Sequence, residues 1–452
     1  MKTAFMIIGS EILQGKIHEI NLQYLSRAFH RENWGIDHAL IVKDEMGSIV
    51  EELKTLFQNY DLIITSGGLG PTEDDLTKGA LAHFLGVPTV FHPQAYQLTH
   101  LHYQRIQRSF STDHPYCFLP EGVAPVYNPV GMACGLDYFD PHRKKMIFML
   151  PGVPREFVSM VDEELIPRLR DRFFQHDQQS CRKHLIFKTR FVPEEKIFKE
   201  IVPSLWDQLK QWGDVSSLPH TLGVDIGIFL EAADEMELLQ KETSILSFVL
   251  SSPLREHIWQ VGQDSLPEAI VQLARQVGMT FGLVESCTGG LISSMITDVP
   301  GASAVFCGGL TTYQTQVKEH LLHIEKETLN QFGVVSEEIA CDMAERALRI
   351  LHAHVVVSTT GLAGPDGGTE ELPIGTVAIA VATLHPSPDC PDKIRLKGHQ
   401  FKFSGDRKKL KETFAIKALH LLFDEILLLG HESGAIDSNE NFYVGKNRGL
   451  FL

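Results

Sequence analysis

Ser66-Gly-Gly-Leu-Gly-Pro-Thr-Glu-Asp-Asp75 combines glycine's backbone freedom with three consecutive carboxylates. Gly67, Gly68 and Gly70 let the main chain approach a ligand and let neighbouring N–H groups converge on an anion. Thr72 and Asp75 have the spacing of a helix cap, which predicts a helix N-terminus, with its partial positive charge, at the same place. Carboxylates repel a phosphate unless Mg²⁺ bridges the two sets of oxygens, so Asp74 and Asp75 are candidate metal ligands. A plain glycine turn followed by acidic first-turn residues fits the spacing equally well.

Two further segments belong with this one. Gly9-Ser-Glu11 follows an apolar run, Asn21 opens the next helical stretch, and Pro151-Gly-Val-Pro-Arg-Glu156 ends another run. In a doubly wound sheet the strand ends line one crevice. Gly9, Glu11, Asn21, Pro151 and Gly152 therefore join the candidate ligand site, with Glu11 a third metal ligand. Taken singly, Gly9 reads as a turn and Pro151 with Pro154 as a rigid strand exit.

Glu285-Ser-Cys-Thr-Gly-Gly290 offers different chemistry. A serine on a strand-to-helix turn is exposed, and the N–H groups after it can hold an oxyanion. Cys287 is a rival nucleophile, and a Ser/Thr/Gly helix cap is the structural alternative. Thr359-Thr-Gly-Leu-Ala-Gly-Pro-Asp-Gly-Gly368 supplies a second glycine-rich strand exit, an anion nest in type. A ligand with a phosphate and an electrophilic centre would use both. His100 with His102, and His352 with His354, lack a carboxylate partner and read as ordinary histidines.

The elements that must position these groups alternate strand and helix. In the first stretch, strands are expected at Phe5–Ile8, Ala39–Val42, Asp61–Thr65 and Met146–Leu150, and a helix at Asn21–Phe29. A capping box is expected at Ser48–Glu51. Short glycine-rich connections argue for a mostly parallel sheet with helices on both faces. Between about Asp171 and His257 the texture changes. His184–Phe191 and Gly223–Leu230 read as strands, Glu194–Leu205 and Asp234–Leu250 as helices. A third region opens with the capping box Ser265-Leu-Pro-Glu268 and the stop at Gly278. Strands are expected there at Thr280–Val284, His354–Ser358 and Gly375–Thr383, and helices at Leu291–Thr297 and Lys409–Leu429. The expected organisation is α/β multidomain: a doubly wound domain over 1–168, a small α+β module over 171–257, a second α/β domain over 263–430, and a flexible tail over 431–452.

The 452 residues carry 41 Lys+Arg against 57 Asp+Glu, a net charge of −16. That argues against a nucleic-acid binder or a surface for anionic membranes, while a single pocket can still hold an anionic substrate. No apolar run approaches the roughly 20 residues of a membrane span, and no signal peptide is legible. The seven cysteines, Cys117, Cys134, Cys181, Cys287, Cys307, Cys341 and Cys390, form no CxxC. Reduced thiols in a cytoplasmic protein are expected.

These clusters, in this order, resemble the CinA family (competence/damage-inducible protein) over nearly the whole chain to about Leu429. Gly9–Gly15, Gly67–Asp75 with Thr77, Asn128-Pro-Val-Gly131 and Leu150–Pro154 look like its molybdopterin-binding-type domain. Glu285–Gly290, Thr312-Tyr313, Lys318, Gly333–Ser336, Gly361–Gly368 and Pro373–Val377 look like its amidohydrolase domain. Met132 and Cys134 stand where the family commonly has Thr and Pro. The resemblance implies hydrolysis of nicotinamide mononucleotide to nicotinate mononucleotide and ammonia, with no cofactor. It makes Ser286 the nucleophile, Lys318 its general base, Tyr313 a proton-transfer aid and Arg407 a substrate contact. Thr288, Gly289, Gly290, Thr360, Gly361, Gly364, Gly367 and Gly368 would hold substrate, the phosphate resting in the 361–368 nest or at the helix after Gly290. Arg407 is a candidate for the cation that lowers the lysine's pKa, desolvation being the other means. For the first domain the resemblance implies ADP-ribose hydrolysis with Mg²⁺ or another divalent cation and K⁺, and for the chain a homodimer. A non-catalytic nucleotide-binding regulator is the alternative of another class.

Overall fold

A computed structural model describes residues 1–32, 34–173, 181–387 and 390–436. The chain forms two compact units, the first ending at residue 180 and the second beginning at Cys181.

In the first unit a six-stranded sheet has the order β2-β1-β3-β6-β5-β4. Its strands are β1 (Thr3–Ile8), β2 (His38–Val42), β3 (Leu62–Ser66), β4 (Ala124–Val126), β5 (Gly135–Asp140) and β6 (Lys145–Leu150). The four strands β2, β1, β3 and β6 are parallel, and β5 and β4 extend the sheet antiparallel. Alternation along each central strand feeds two cores. Ala4, Met6, Ile8 and Ile63 pack with Ile49, Leu53 and Leu56 of α2 (Met46–Asn59) and Leu81 of α3 (Thr77–Leu85). Phe5, Ile7, Leu62 and Ile64 pack with Leu25, Ala28 and Phe29 of α1 (Asn21–Arg31) and with Phe157 and Met160 on the opposite face. A strand buried on both faces needs a continuous apolar run, which β1 and β3 supply.

Two capping expectations fail here. Helix α2 starts two residues before Ser48, whose hydroxyl donates to Glu45 instead of capping the chain. Thr72 and Asp75 do not cap α3, which begins at Thr77 with Leu76 at its N-cap position. Asp75 turns back into its own loop, accepting from the Gly70 N–H at 2.7 Å, the Thr72 N–H at 3.0 Å and the Thr72 hydroxyl at 2.5 Å.

The second unit carries two sheets. The first is antiparallel, order β8-β9-β7-β10, from β7 (Cys181–Thr189), β8 (Gly213–His220), β9 (Gly223–Ala232) and β10 (Ile258–Val261). The edge strand β8 is mostly exposed and contains Pro219, so no apolar alternation announced it. The helix expected over Glu194–Leu205 breaks at Val202-Pro203 and resumes at Leu205–Lys210. The second sheet has the order β12-β11-β13-β14-β15. It comprises β11 (Phe281–Glu285), β12 (Phe306–Thr311), β13 (Val355–Gly361), β14 (Thr376–Ser387) and β15 (Cys390–Lys402). The strands β12, β11 and β13 are parallel, and β14 and β15 run antiparallel.

Phe281, Leu283, Val355 and Val357 face α7 (Leu266–Val277) and α12 (Arg407–Glu432), while Val284 and Val356 face α11 (Glu337–Leu351). Of the remaining helices, α4 spans Pro93–Arg105, α5 Pro154–Met160 and α6 Glu235–Ser251, and between α7 and α11 come α8 (Leu291–Thr297), α9 (Thr315–Leu322) and α10 (Lys326–Phe332). The Ser265 capping box and the left-handed Gly278 stop stand as expected around α7. The two layers of this unit meet through an Arg190–Asp424 ion pair at 2.8 Å and the Lys417 ammonium 3.5 Å from the Phe191 ring centroid.

The expected tail begins later than the composition suggests. Helix α12 continues to Glu432, and Ile436 is buried beside Gly430 and Val277. The remainder, 437–452, lies outside the described residues. Cys117, Cys134, Cys287, Cys307 and Cys341 form no disulfide with one another.

Candidate active site

Strand β11 enters the site of the second unit and delivers Ser286 from its C-terminal end. The Ser286 N–H donates to Thr359 O at 2.9 Å, which ties the turn to the parallel strand β13. Gly289 closes the turn on Ser286 O at 3.1 Å, in a left-handed conformation that favours glycine. From the start of α9, Lys318 reaches back into this turn. Its Nζ lies 3.0 Å from Ser286 Oγ and donates to Thr312 O at 2.7 Å. Only 2% of Lys318 and 8% of Ser286 are exposed.

Burial pushes the Lys318 pKa down to about 8. Arg407 is not the cause, contrary to one of the two expected means: its guanidinium donates to Gly364 O and, at 2.9 Å, to the Tyr313 hydroxyl. The Cys287 thiol is buried and pushed up to about 12 by desolvation, so it stays protonated and is a poor nucleophile. Tyr313 does not bond Ser286 or Lys318; it stands on the cavity wall, held by Arg407 and more than half exposed. Its expected part in proton transfer is therefore not assembled.

A cavity of about 240 Å³ opens over this pair, walled by Tyr313, Thr315, Val334, Val335, Thr360–Ala363 and Arg407. Thr360 and Gly361 line it as expected; Thr315 was missed, and Val334 and Val335, although inside the Gly333–Ser336 segment, had been given no role. The Thr360 hydroxyl donates to Val334 O at 2.6 Å and fixes that wall. The other expected substrate residues stand outside the lining. Thr288 is fully buried and bonded to Thr359 Oγ1 at 2.9 Å, while Gly367 and Gly368 lie exposed beyond the cavity. Gly364 contributes the carbonyl that holds Arg407.

The helix after Gly290 cannot take a phosphate. The Glu285 carboxylate, 1% exposed, already accepts from the N–H groups of Gly290, Ile292 and Ser293 at 2.8–3.1 Å. The Ser293 hydroxyl adds a fourth bond at 2.7 Å. An internal carboxylate thus fills the place where a helix N-terminus would bind an anion.

In the first unit, β1, β3 and β6 end together around Asn21. Its Nδ2 donates to Ser66 Oγ and Gly152 O, both at 2.9 Å, while the buried Oδ1 has no partner. A Cβ on Gly67 would stand 2.2 Å from Ile8 O, so only glycine lets these strand ends close. A cleft of about 900 Å³ opens there, lined by Glu11, Asn21, Gly67, Gly68, Gly70, Asp74, Asp75, Pro151 and Gly152. Glu19, Asp44 and Glu156 line it too, making six carboxylates with no lysine or arginine. Gly9 and Thr72 are not part of its lining. Glu156 was not singled out; Asn128 Nδ2 holds it at 2.6 Å. The expected metal triad does not assemble: among the described residues no three His, Cys, Asp or Glu side chains converge on one point. Asp75 is already committed to its own loop. A preformed protein cage for Mg²⁺ therefore does not fit these residues.

Comparison with known proteins follows the same division. Residues 4–171 match the model of a probable molybdopterin binding domain, and residues 263–426 match the CinA C-terminal domain. The competence-damage inducible protein of Thermoanaerobacter pseudethanolicus is 32% identical over 93% of this chain and 98% of its own. The CinA-like protein of Geotalea uraniireducens is 30% identical over 95% of this chain and 98% of its own. That of Thermotoga maritima is 32% identical over 93% and 97%. No helix among the described residues is long and apolar enough to cross a membrane. With its molybdopterin-binding-type domain ahead of a CinA C-terminal domain, the chain belongs to the CinA family.

Proposed function

We propose that the second unit is an amidohydrolase that converts nicotinamide mononucleotide to nicotinate mononucleotide and ammonia, in pyridine nucleotide recycling in the cytoplasm. The observation that carries this reading is the buried Lys318 Nζ 3.0 Å from Ser286 Oγ. A serine is a weak nucleophile until a neighbouring base takes its proton. A pKa near 8 raises the neutral fraction of Lys318 at pH 7 from roughly 0.03% to roughly 10%. The Thr312 carbonyl holds the amine by one N–H, leaving its lone pair for the serine hydroxyl.

Ser286 Oγ then bonds the carboxamide carbon as its proton passes to Lys318. Of the N–H groups after Ser286, those of Gly289 and Gly290 are taken by Ser286 O and Glu285, which leaves those of Cys287 and Thr288 to meet the developing oxyanion. The C–N bond breaks, and Lys318 returns the proton to the departing nitrogen, which leaves as ammonia. Water adds to the nicotinoyl ester as Lys318 takes one of its protons; Lys318 passes that proton to Oγ as the Oγ–C bond breaks, which restores Ser286, and the released acid loses its proton to solvent to give the carboxylate. Arg407 fixes Tyr313 at the mouth, where the ring can cover a planar heterocycle.

The test is product analysis with purified full-length protein. Ammonia and nicotinate mononucleotide should appear in equal amounts; absence of both from folded protein overturns the reading. A non-catalytic regulator would not need a desolvated lysine beside the serine. For the first unit, an activity on the pyrophosphate of ADP-ribose would require divalent cations that arrive with the substrate, because its cleft presents six carboxylates and no lysine or arginine. We take the working protein to be a homodimer.

A further inference from the structure

Helix α12 meets the antiparallel layer of the second unit through a side chain that the Ser286 chemistry does not use. His420 is 2% exposed, and its Nδ1 is buried without a hydrogen-bond partner. Its ring stands edge-on to two rings of that layer. The centroid of Phe191, just after β7, lies 5.3 Å away, and that of Trp259 on β10 lies 5.4 Å away. Trp259 goes on to meet Phe423, the next turn of α12, at 5.7 Å. The histidine is thus the wedge that seats the helix between two aromatic rings.

The charged groups around it are ill suited to a further positive charge. Arg190 comes from the layer. Lys417 comes from the preceding turn of α12, its ammonium 3.5 Å from the Phe191 ring centroid and 4.5 Å from that of Phe401 on β15. His220, at the end of β8, also acts on the ring and is paired with Asp225 of β9 at 3.4 Å. The carboxylate one turn on, Asp424, is taken by Arg190 at 2.8 Å. Desolvation first, then Arg190, Lys417 and His220, hold the imidazole well below its ordinary pKa of 6.5.

We propose that His420 is an acid-sensitive latch within the second unit: its neutral ring seats α12 on the antiparallel layer, and its protonation frees the layer from the helix. The freed ring takes a proton near pH 6.5 and the seated ring only at lower pH. The seated state is therefore intact above pH 6.5 and weakens as the pH falls below it, by up to about tenfold per unit. Nearby acids do not imitate this. Burial raises the Asp424 carboxyl, which favours the seated state on acidification. Asp225, lowered against desolvation by His220 and Lys188, acts only below its ordinary 3.8. The same helix opens with Arg407, so the latch joins the layer to the element that walls the Ser286 cavity.

Amide hydrogen exchange on the full-length protein at pH 7 and pH 5, corrected for intrinsic rates, tests the latch. Two amides report on the joint: Arg190 N–H donates to His257 O at 2.8 Å, and Phe191 N–H donates to Leu222 O at 2.5 Å. Their opening equilibrium should rise roughly twentyfold at pH 5, as expected when a group of ordinary pKa 6.5 must stay neutral to keep the joint closed. Amides of β11 should not change. His420→Phe and His420→Leu should each abolish the rise, and His220→Gln should leave it in place. No rise in wild type overturns the latch, as does an equal rise in β11. So does a rise that persists in both His420 variants, or one that disappears in His220→Gln. Should the His420 variants fail to fold, the wild-type comparison of Arg190 and Phe191 with β11 decides alone.

Discussion

Replacing Lys318 by Met should change stability in a way that depends on pH, because the lysine's amine is buried in the fold and free in the unfolded chain. In the fold its pKa is about 8 against an ordinary 10.5. Below pH 8 the unfolded chain carries the proton at no cost while the fold carries it against desolvation. Between pH 8 and 10.5 the unfolded state binds more protons, so wild-type stability rises with pH through that window. At ~1.4 kcal/mol per pKa unit, the burden on the wild type is about 3 kcal/mol at pH 7 and falls by about 2.5 kcal/mol by pH 10. Methionine carries no such burden. It also leaves the Thr312 carbonyl without the amine at 2.7 Å, a cost of about 1–3 kcal/mol that does not vary with pH. The two effects separate on this ground. Urea unfolding of the second unit, followed at pH 7 and pH 10, should show the Met variant losing about 2.5 kcal/mol relative to wild type between the two conditions. A difference that stays constant across that range would refute the claim that the Lys318 amine is desolvated and would remove the physical basis for its acting as a base.

Other outcomes follow from single contacts. The kcat/KM for ammonia release should rise about tenfold per pH unit below pH 8 and level off above it, the midpoint following the Lys318 pKa of about 8; a flat profile from pH 6 to 9 would contradict this. Glu285→Ala removes the acceptor of three backbone N–H groups at the start of α8 and should cost at least about 3 kcal/mol by denaturant unfolding, with Glu285→Gln milder; an unchanged midpoint for both would show that these bonds hold nothing. Gly67→Ala brings a Cβ to 2.2 Å from Ile8 O at a positive φ. It should unfold the first unit by calorimetry while Ser286-dependent ammonia release survives; an undisturbed first transition would contradict the close approach. Asp75→Ala should lower the first unit's melting temperature by breaking the Gly70 and Thr72 bonds, and no shift would mean the loop holds without them.

Strand and helix were legible wherever both faces are covered or a true cap is present. The apolar runs of β1 and β3 and the Ser265 box are such cases, since burial and capping are written locally. Ser48 and Thr72 carried the right residue types at cap spacing, but neighbouring acceptors, Glu45 and Asp75, took their hydrogen bonds into other geometries. The serine turn was visible from Glu285–Gly290 alone. Lys318 was not: it lies 32 residues from Ser286 in sequence, and nothing in its helix announces a buried amine, so only family resemblance singled it out. Glu285 was the reverse case. It was quoted as part of the motif, yet its occupation of the following helix start went unread, although an acid ending a buried strand ahead of two glycines is the pattern to look for. The first-unit carboxylates were correctly gathered into one cleft, but whether they converge on a metal depends on side-chain direction, and Asp75 turns away.

The account stands on one pair of atoms, Lys318 Nζ and Ser286 Oγ, 3.0 Å apart. The most direct measurement is ammonia release from nicotinamide mononucleotide by wild type, Ser286→Ala and Lys318→Ala, each shown to be folded. Turnover in wild type that is abolished in both variants is the predicted result. Sustained turnover in either variant, or none in wild type, would contradict it.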